Sequence, residues 1–413
     1  MRVIPSVCLA VVTAGLLLLP RSAAAQATPD ASALQQQIDQ LKKEFGERIA
    51  ALEAKLAEAQ AAPATPPPPA PEPAPAQASV ASGAKMFNPD IAVIGDFLGA
   101  AGHNEVNPSP ALEMHESEAS FQAVVDPYMR ADFFISFGEH GVDLEEGYAT
   151  ITELPGDFQV KVGKMRAAFG KVNALHNHVL PWADRPLVIN NLVGGEEGIS
   201  DAGVSVARLI PIGSLFVEAT GQIFHGETAE GVLYKSSKPG DVSYVGHVRG
   251  YHDLTESTNL DFGGSYSFGH NAAGIVDNVD VGRFTTQLFG LDATFRWRPL
   301  TRAIYHQFVA RTEFINSQRN QFDGLQKAGG FYVSGDYQFA RRWWMGGRFD
   351  QSDHADNASL LDRGQSFLLT YMPSEFSQLR GQYRHTAYGD GPTAHEFLMQ
   401  FQFAIGAHGA HPF

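Results

Sequence analysis

The chain has 413 residues, 44% of them hydrophobic and 18% charged, and beyond its first twenty positions no apolar run approaches the roughly 20 residues that a membrane-spanning helix needs. Forty-five acidic against 30 basic side chains give a net charge of −15, which excludes a general nucleic-acid-binding surface, because that needs a basic face to displace counterions from phosphates. A single cysteine, Cys8, excludes disulfide frameworks and thiolate metal sites, while 41 glycines, 28 Phe and 12 Tyr point to many tight turns and an aromatic-rich strand surface.

Residues 1–25 read as a secretory signal: Arg2, the apolar run Val7 to Leu19, then Ala23-Ala24-Ala25 as small residues for cleavage after Ala25. Cleavage removes Cys8 together with Arg2 and Arg21, so the exported chain is more acidic still and cysteine-free, as suits an oxidising periplasm. Within 26–60, Leu34, Ile38, Leu41, Phe45, Ile49, Leu52 and Leu56 recur at steps of 4, 3, 4, 4, 3 and 4, a mean of 3.67. That is an eleven-residue repeat with one narrow apolar seam, predicting a coiled-coil helix that pairs with partner helices or contacts peptidoglycan. Residues 61–85 follow as a Pro/Ala-rich extended linker that cannot build a core.

From residue 86 to 413 the period changes to two. In Phe397-Leu398-Met399-Gln400-Phe401-Gln402-Phe403-Ala404-Ile405 the odd positions are apolar and Gln400 and Gln402 face the other way. Leu291, Ala293, Phe295 and Trp297 likewise oppose Asp292, Thr294, Arg296 and Arg298. Sixteen strands are predicted, near 90–100, 114–125, 128–138, 142–154, 157–168, 201–210, 214–225, 241–254, 258–269, 283–298, 301–316, 325–339, 342–352, 362–372, 376–387 and 395–406. Links after even-numbered strands are short. Those after odd-numbered strands are mostly long: 101–113, 169–200, 226–240, 270–282, 317–324, 353–361 and 388–394, the exception being Gly138 to Gly141. This parity predicts an all-β fold, a transmembrane antiparallel up-and-down β-barrel in a Gram-negative outer membrane, with outer-membrane lipid around it and the N-terminal helix in the periplasm. Tyr128, Phe133, Phe134, Phe137, Trp297, Tyr305, Phe339, Trp343, Trp344, Phe367 and Tyr371 are expected in interfacial girdles.

The longest link, 169–200, is expected to fold inward and narrow the pore, with His176, His178, Trp182, Asp184, Arg185, Glu196 and Glu197 at the constriction. Opposite it, Arg130, Asp132, Lys161, Arg296, Arg298, Arg348, Asp350, Arg380, Gln382 and Arg384 have lumen parity, and their basic excess points to anionic solutes. Lys164 and Arg166 share parity with Val160 and Val162, so they lie above the membrane or Gly163 marks a bulge. No hydrolase elbow, zinc-protease motif or phosphate loop appears, so no enzyme activity and no cofactor are expected. His176 with His178, and His408 with His411, have spacings that suit a cation, but the expectation is solvated loop histidines and no metal. Glu116 with Glu118, and Glu145 with Glu146, are the paired acids; adjacent strand residues face opposite sides, so Glu145 and Glu146 are not expected to act together.

The segment Leu144-Glu145-Glu146-Gly147-Tyr148, followed by Val160-Lys161-Val162-Gly163-Lys164-Met165-Arg166-Ala167-Ala168-Phe169-Gly170, resembles the phosphate-selective porin O/P group of outer-membrane channels. The stretch Phe397 to Phe403, with Phe413 at the end, is similar to the closing strand that barrel-assembly machinery reads in such proteins. The resemblance implies a sixteen-stranded homotrimer with an inward third loop; the family's basic ladder is not matched here, so phosphate is not carried over. The expected function is passive diffusion of small hydrophilic solutes or ions. The alternatives are an uptake receptor for a metal or chelate, and a structural tether between outer membrane and cell wall.

Overall fold

The computed structural model describes Lys43 and residues 89–406, apart from 139–140, 229–232 and 278. The expected signal, the linker, the tail beyond Gly406 and, save for Lys43, the seam helix lie outside the described residues.

Sixteen antiparallel strands close into one barrel. In chain order they are β1 (Asp90–His103), β2 (Leu112–Asp126), β3 (Met129–Gly138), β4 (Gly141–Leu154), β5 (Phe158–Arg166), β6 (Ser200–Ile212), β7 (Leu215–Phe224) and β8 (Ser243–Thr255). Then come β9 (Thr258–His270), β10 (Thr285–Trp297), β11 (Gln307–Gln321), β12 (Gly324–Ala340), β13 (Trp343–Asp353), β14 (Leu361–Ser374), β15 (Ser377–Ala387) and β16 (Thr393–Gly406). Each strand pairs with its sequence neighbours, and β1 closes on β16 from Ala92↔Gly406 to His103↔His395. Closure leaves no sheet edge, so the backbone amides of the strands find partners without water, the condition for crossing hydrocarbon with strands.

Alternation dictates what each face carries. On β10 Leu291 is 65% exposed on the outside while Asp292 is buried within; on β16 Phe397, Met399, Phe401 and Phe403 face out and Gln400 lies inside. Trp343 and Tyr371 pack outside as a tilted ring pair, 4.6 Å between ring centres. Two of the expected girdle aromatics are not there: Phe134 shares the inward parity of Asp132 and packs on His176 at 5.2 Å, and Trp344 pairs in register with the buried Thr370.

Link lengths follow the expected parity with two departures. Residues 298–306 after β10 form a longer connection than a tight turn, with Arg302 at φ +66°, and β11 therefore starts at Gln307. Conversely β11 and β12 run on to Gln321 and Gly324, so the expected long link at 317–324 shrinks to Phe322 and Asp323. Residues 271–284 carry a two-stranded hairpin of their own, Ile275–Val276 with Val279–Asp280. No bulge occurs at Gly163, since β5 pairs with β6 unbroken from Phe158↔Arg208 to Arg166↔Ser200; Lys164 and Arg166 sit at the long-loop end of the strand.

Candidate functional site: the loop inside the barrel

The link between β5 and β6 enters the lumen and touches most of the wall. It holds a 3-10 turn, Asn177–Val179, and a short helix α1, Leu187–Leu192. Asn173 clasps its base, the side-chain amide donating to the Ala167 and Ile199 carbonyls (2.9 and 3.1 Å) while its oxygen accepts from Ile199 N (2.8 Å). From that base the backbone reaches one side of the barrel: Ala168 N donates to Gln222 on β7, Gly170 N to Ser265 on β9, and Val172 N to Glu313 on β11. Lys171 Nζ sits 2.6 Å from Asp261 and 3.6 Å from Asp292. Farther along, Ala183 N donates to Gln382 on β15, Leu187 N to Asp350 on β13, and Asn191 to Asp362 on β14.

An apolar core holds the loop in place. Trp182, Val188, Ile189, Leu192, Val193 and Ile199 are fully buried against the inward-facing Leu288, Ile315, Tyr332 and Leu368. Trp182 meets Tyr332 edge-on at 5.1 Å, and the Arg348 guanidinium lies 4.9 Å from the Trp182 ring centre. Four large wall side chains at lumen parity are thus apolar because the loop, not water, covers them.

The ionic latch is Asp184. One carboxylate oxygen accepts from Arg348 and Arg384, each at 2.9 Å, and the other from Gln382 at 2.5 Å. Burial works against its charge, but Arg348 and Arg384 beside it hold the carboxyl down at about 2. Arg348 is also bound to Asp350 at 2.7 Å, and Arg384 to Glu396. Arg380 donates to Gln400 at 2.7 Å. These basic side chains anchor the loop or bond to the wall, instead of standing free in a pore. Arg185 is buried as well: it donates to the Val172 and Leu175 carbonyls and to Asn177, bracing the loop from within, and burial with the nearby Arg166 charge lowers it to about 10. Arg166 in turn donates to the carbonyls of Glu196 and Glu197, whose side chains were the expected contributors.

The more exposed basic charge, still ion-paired, lies nearer the short-turn end. Side chains of Arg130, Arg249 and Arg296 are 49%, 41% and 31% exposed, whereas their acidic neighbours Asp132 and Asp261 are 7% and 0% exposed. Lys161 lies 4.5 Å from the centre of the Tyr148 ring. Arg298 falls just past the end of β10, on the connection and off the strand face.

On the other side of the lumen the loop meets four acids. His176 bonds to Glu118 and, through Nε2, to Glu146 at 2.9 Å, with Glu145 3.3 Å from Nδ1; His178 Nδ1 is 3.4 Å from Glu116. Both histidines are buried, which corrects the expectation that they are solvated. Burial opposes charge on His176, yet the hydrogen bonds with Glu118 and Glu146 push it up to about 10. Glu145 and Glu146 meet at one imidazole because β4 bulges: Phe134 opposes Glu146 and Ile135 opposes Leu144, leaving Glu145 as the extra residue. A matching bulge in β2, with Asp96 opposite Glu116 and Phe97 opposite Met114, makes His115 the extra residue there. Strict alternation cannot reveal a bulge, so the acid pairs were visible in the sequence but their convergence was not. Close by, Asp96, His115, Asp184, Arg185, Glu196 and Gln400 border a space of about 20 Å³, enough for about one water.

The fold defined here is a porin-type barrel with an inward-folded third loop. No family model matches the chain. An uncharacterised protein of Aquifex aeolicus (strain VF5) is 29% identical over 390 residues, covering 80% of this chain and 81% of that one. Among solved structures, the anion-selective porin from Comamonas acidovorans superposes with a TM-score of 0.54 at 9% identity, covering 77% of this chain and 99% of that one. Pseudomonas putida OprB gives 0.54 at 9% over 78% and 95%. A loop-deletion mutant of Vibrio cholerae OmpT, an outer membrane protein, gives 0.52 at 10% over 78% and 100%. At such identities the likeness is one of fold.

Proposed function

We propose that this protein is an outer-membrane porin through which small hydrophilic solutes or ions diffuse passively, with a mild preference for anions. One observation carries the reading: a closed sixteen-stranded barrel, apolar outside and charged inside, is narrowed by its own third loop. The anion preference rests on the vestibule at the short-turn end, where a passing ion meets the exposed guanidinium of each pair and not its buried carboxylate. The Comamonas acidovorans barrel of the same fold is an anion-selective porin, which points the same way.

The reading extends to a signal over 1–25, a periplasmic helix over 26–60, a linker over 61–85 and assembly as a homotrimer. Vibrio cholerae OmpT, at 9% identity and a TM-score of 0.50, is described in a trimer form. Kinship with the phosphate-selective O/P group rests on the Leu144–Tyr148 and Val160–Gly170 segments alone. Purified protein in planar bilayers is expected to give ohmic steps and, in a salt gradient, a reversal potential of anion sign. No steps from the parent protein and none from a variant with its loop latch removed would refute the channel reading.

A further inference from the structure

We propose that Glu118, His176 and His178, joined by Glu116 and Glu145, bind a divalent cation of the zinc class that staples the loop tip to β2 and β4. This goes beyond the channel reading and does not depend on it. One donor atom from each of Glu118, His176 and His178 lies within 4.8 Å of the other two, and the same holds for Glu116, Glu118 and Glu145, so Glu118 belongs to both triads. All five side chains are buried. Donors about 2.0–2.2 Å from one cation stand roughly 3–4 Å from each other. His176 Nδ1 and Glu118 stand closer than this, as a hydrogen-bonded pair that an entering cation would part, but three separations fit: 3.3 Å from His176 Nδ1 to Glu145, and 3.4 and 3.8 Å from His178 Nδ1 to Glu116 and Glu118. They are long for charge-assisted hydrogen bonds of about 2.7–2.9 Å, and they match edges of a coordination shell.

A second, independent observation concerns the far side of the His176 ring. A carboxylate only accepts, so the contacts of Nε2 with Glu146 (2.9 Å) and of Nδ1 with Glu118 each take a ring hydrogen; an entering cation would displace the Nδ1 hydrogen to solvent, while Glu146 keeps the one on Nε2 and holds Nδ1 toward the Glu118–Glu145 side. Glu146 is itself fixed by the backbone N–H of Arg166 at 2.7 Å. A carboxylate that orients a histidine from behind is the usual support of a histidine metal ligand. Once the His176 Nδ1 hydrogen is displaced, a dication together with Arg166, 3.3 Å from Glu145, offsets three of the four carboxylate charges. Two nitrogens among oxygen donors favour zinc and its first-row neighbours over calcium or magnesium, which take oxygens.

The test is direct. Full-length protein purified in detergent is stripped with chelator, titrated with Zn²⁺, passed through gel filtration and assayed for metal by mass spectrometry; Ca²⁺ is run in parallel. About one Zn²⁺ per chain is expected, reduced at least tenfold by Glu118→Gln and by His178→Gln, and about ten- to a hundredfold in affinity by Glu146→Gln. Heat-modifiable gel mobility reports whether each variant still forms the barrel. The proposal is overturned if unaltered protein retains no Zn²⁺, which leaves a protonated His176 as the staple. Equal retention by the two ligand variants, or Ca²⁺ binding as well as Zn²⁺, overturns it too.

Discussion

Replacing Asp184 by Asn removes the charge that ties the loop to two strands while keeping the side chain's size. The carboxyl is held at about 2 against an ordinary value of 3.8, and at roughly 1.4 kcal/mol per pH unit this depression is worth about 2 kcal/mol to the docked loop. The orphaned guanidiniums of Arg348 and Arg384 keep Asp350 and Glu396, which moderates the further penalty for unpaired buried charge. A shift of about 2 kcal/mol changes the ratio of docked to undocked loop roughly thirtyfold. Single-channel recording should therefore show larger or flickering steps in Asp184→Asn, the mean current rising most if the parent pore is narrow. The pH sign follows from the depressed value: the latch is fully present above about 3.8 and is lost as pH falls through about 2. Parent conductance should stay level from pH 7 to about 4 and loosen below it, while the variant shows no such transition. Identical step size, noise and acid response in the two proteins would refute the latch.

Trp182→Ala should open a cavity in the loop core at a cost of about 3–5 kcal/mol, seen as new protease cleavage between Phe169 and Ser200 while the barrel keeps its gel mobility. Arg130→Ala with Arg296→Ala should move the reversal potential toward cations, because the exposed members of those ion pairs are removed; an unchanged potential contradicts the vestibule assignment. Leu291→Arg, on the outer face, should slow or prevent folding into lipid vesicles by about 2–4 kcal/mol at mid-depth, whereas Thr294→Arg, facing inward, should fold.

Strand number, order and nearly every boundary were legible because the period-two pattern is strong wherever one face meets lipid and the other water. The start of β11 was not, since residues 301–306 carry no marker that separates a strand from an extended link. The inward course of the third loop could be expected from its length, but its partners could not. Leu288, Ile315, Tyr332 and Leu368 stand at lumen parity, and alternation gives no hint that a distant segment covers them. Arg348, Arg380 and Arg384 likewise read as pore charges until the structure supplies the side chains that occupy them. The histidine cluster stayed hidden for a different reason. Two bulges, at His115 and Glu145, change which face the flanking residues serve, and a bulge leaves no periodic trace in so short a strand.

The apolar patch on the inner wall bears on any attempt to widen this channel. Excising the loop would not leave a clean aqueous tube; it would bare Leu288, Ile315, Tyr332 and Leu368 as a greasy stripe along one flank of the bore. Such a stripe sheds water and traps amphiphiles, so an enlarged variant needs hydrophilic replacements at those four sites before its width becomes usable.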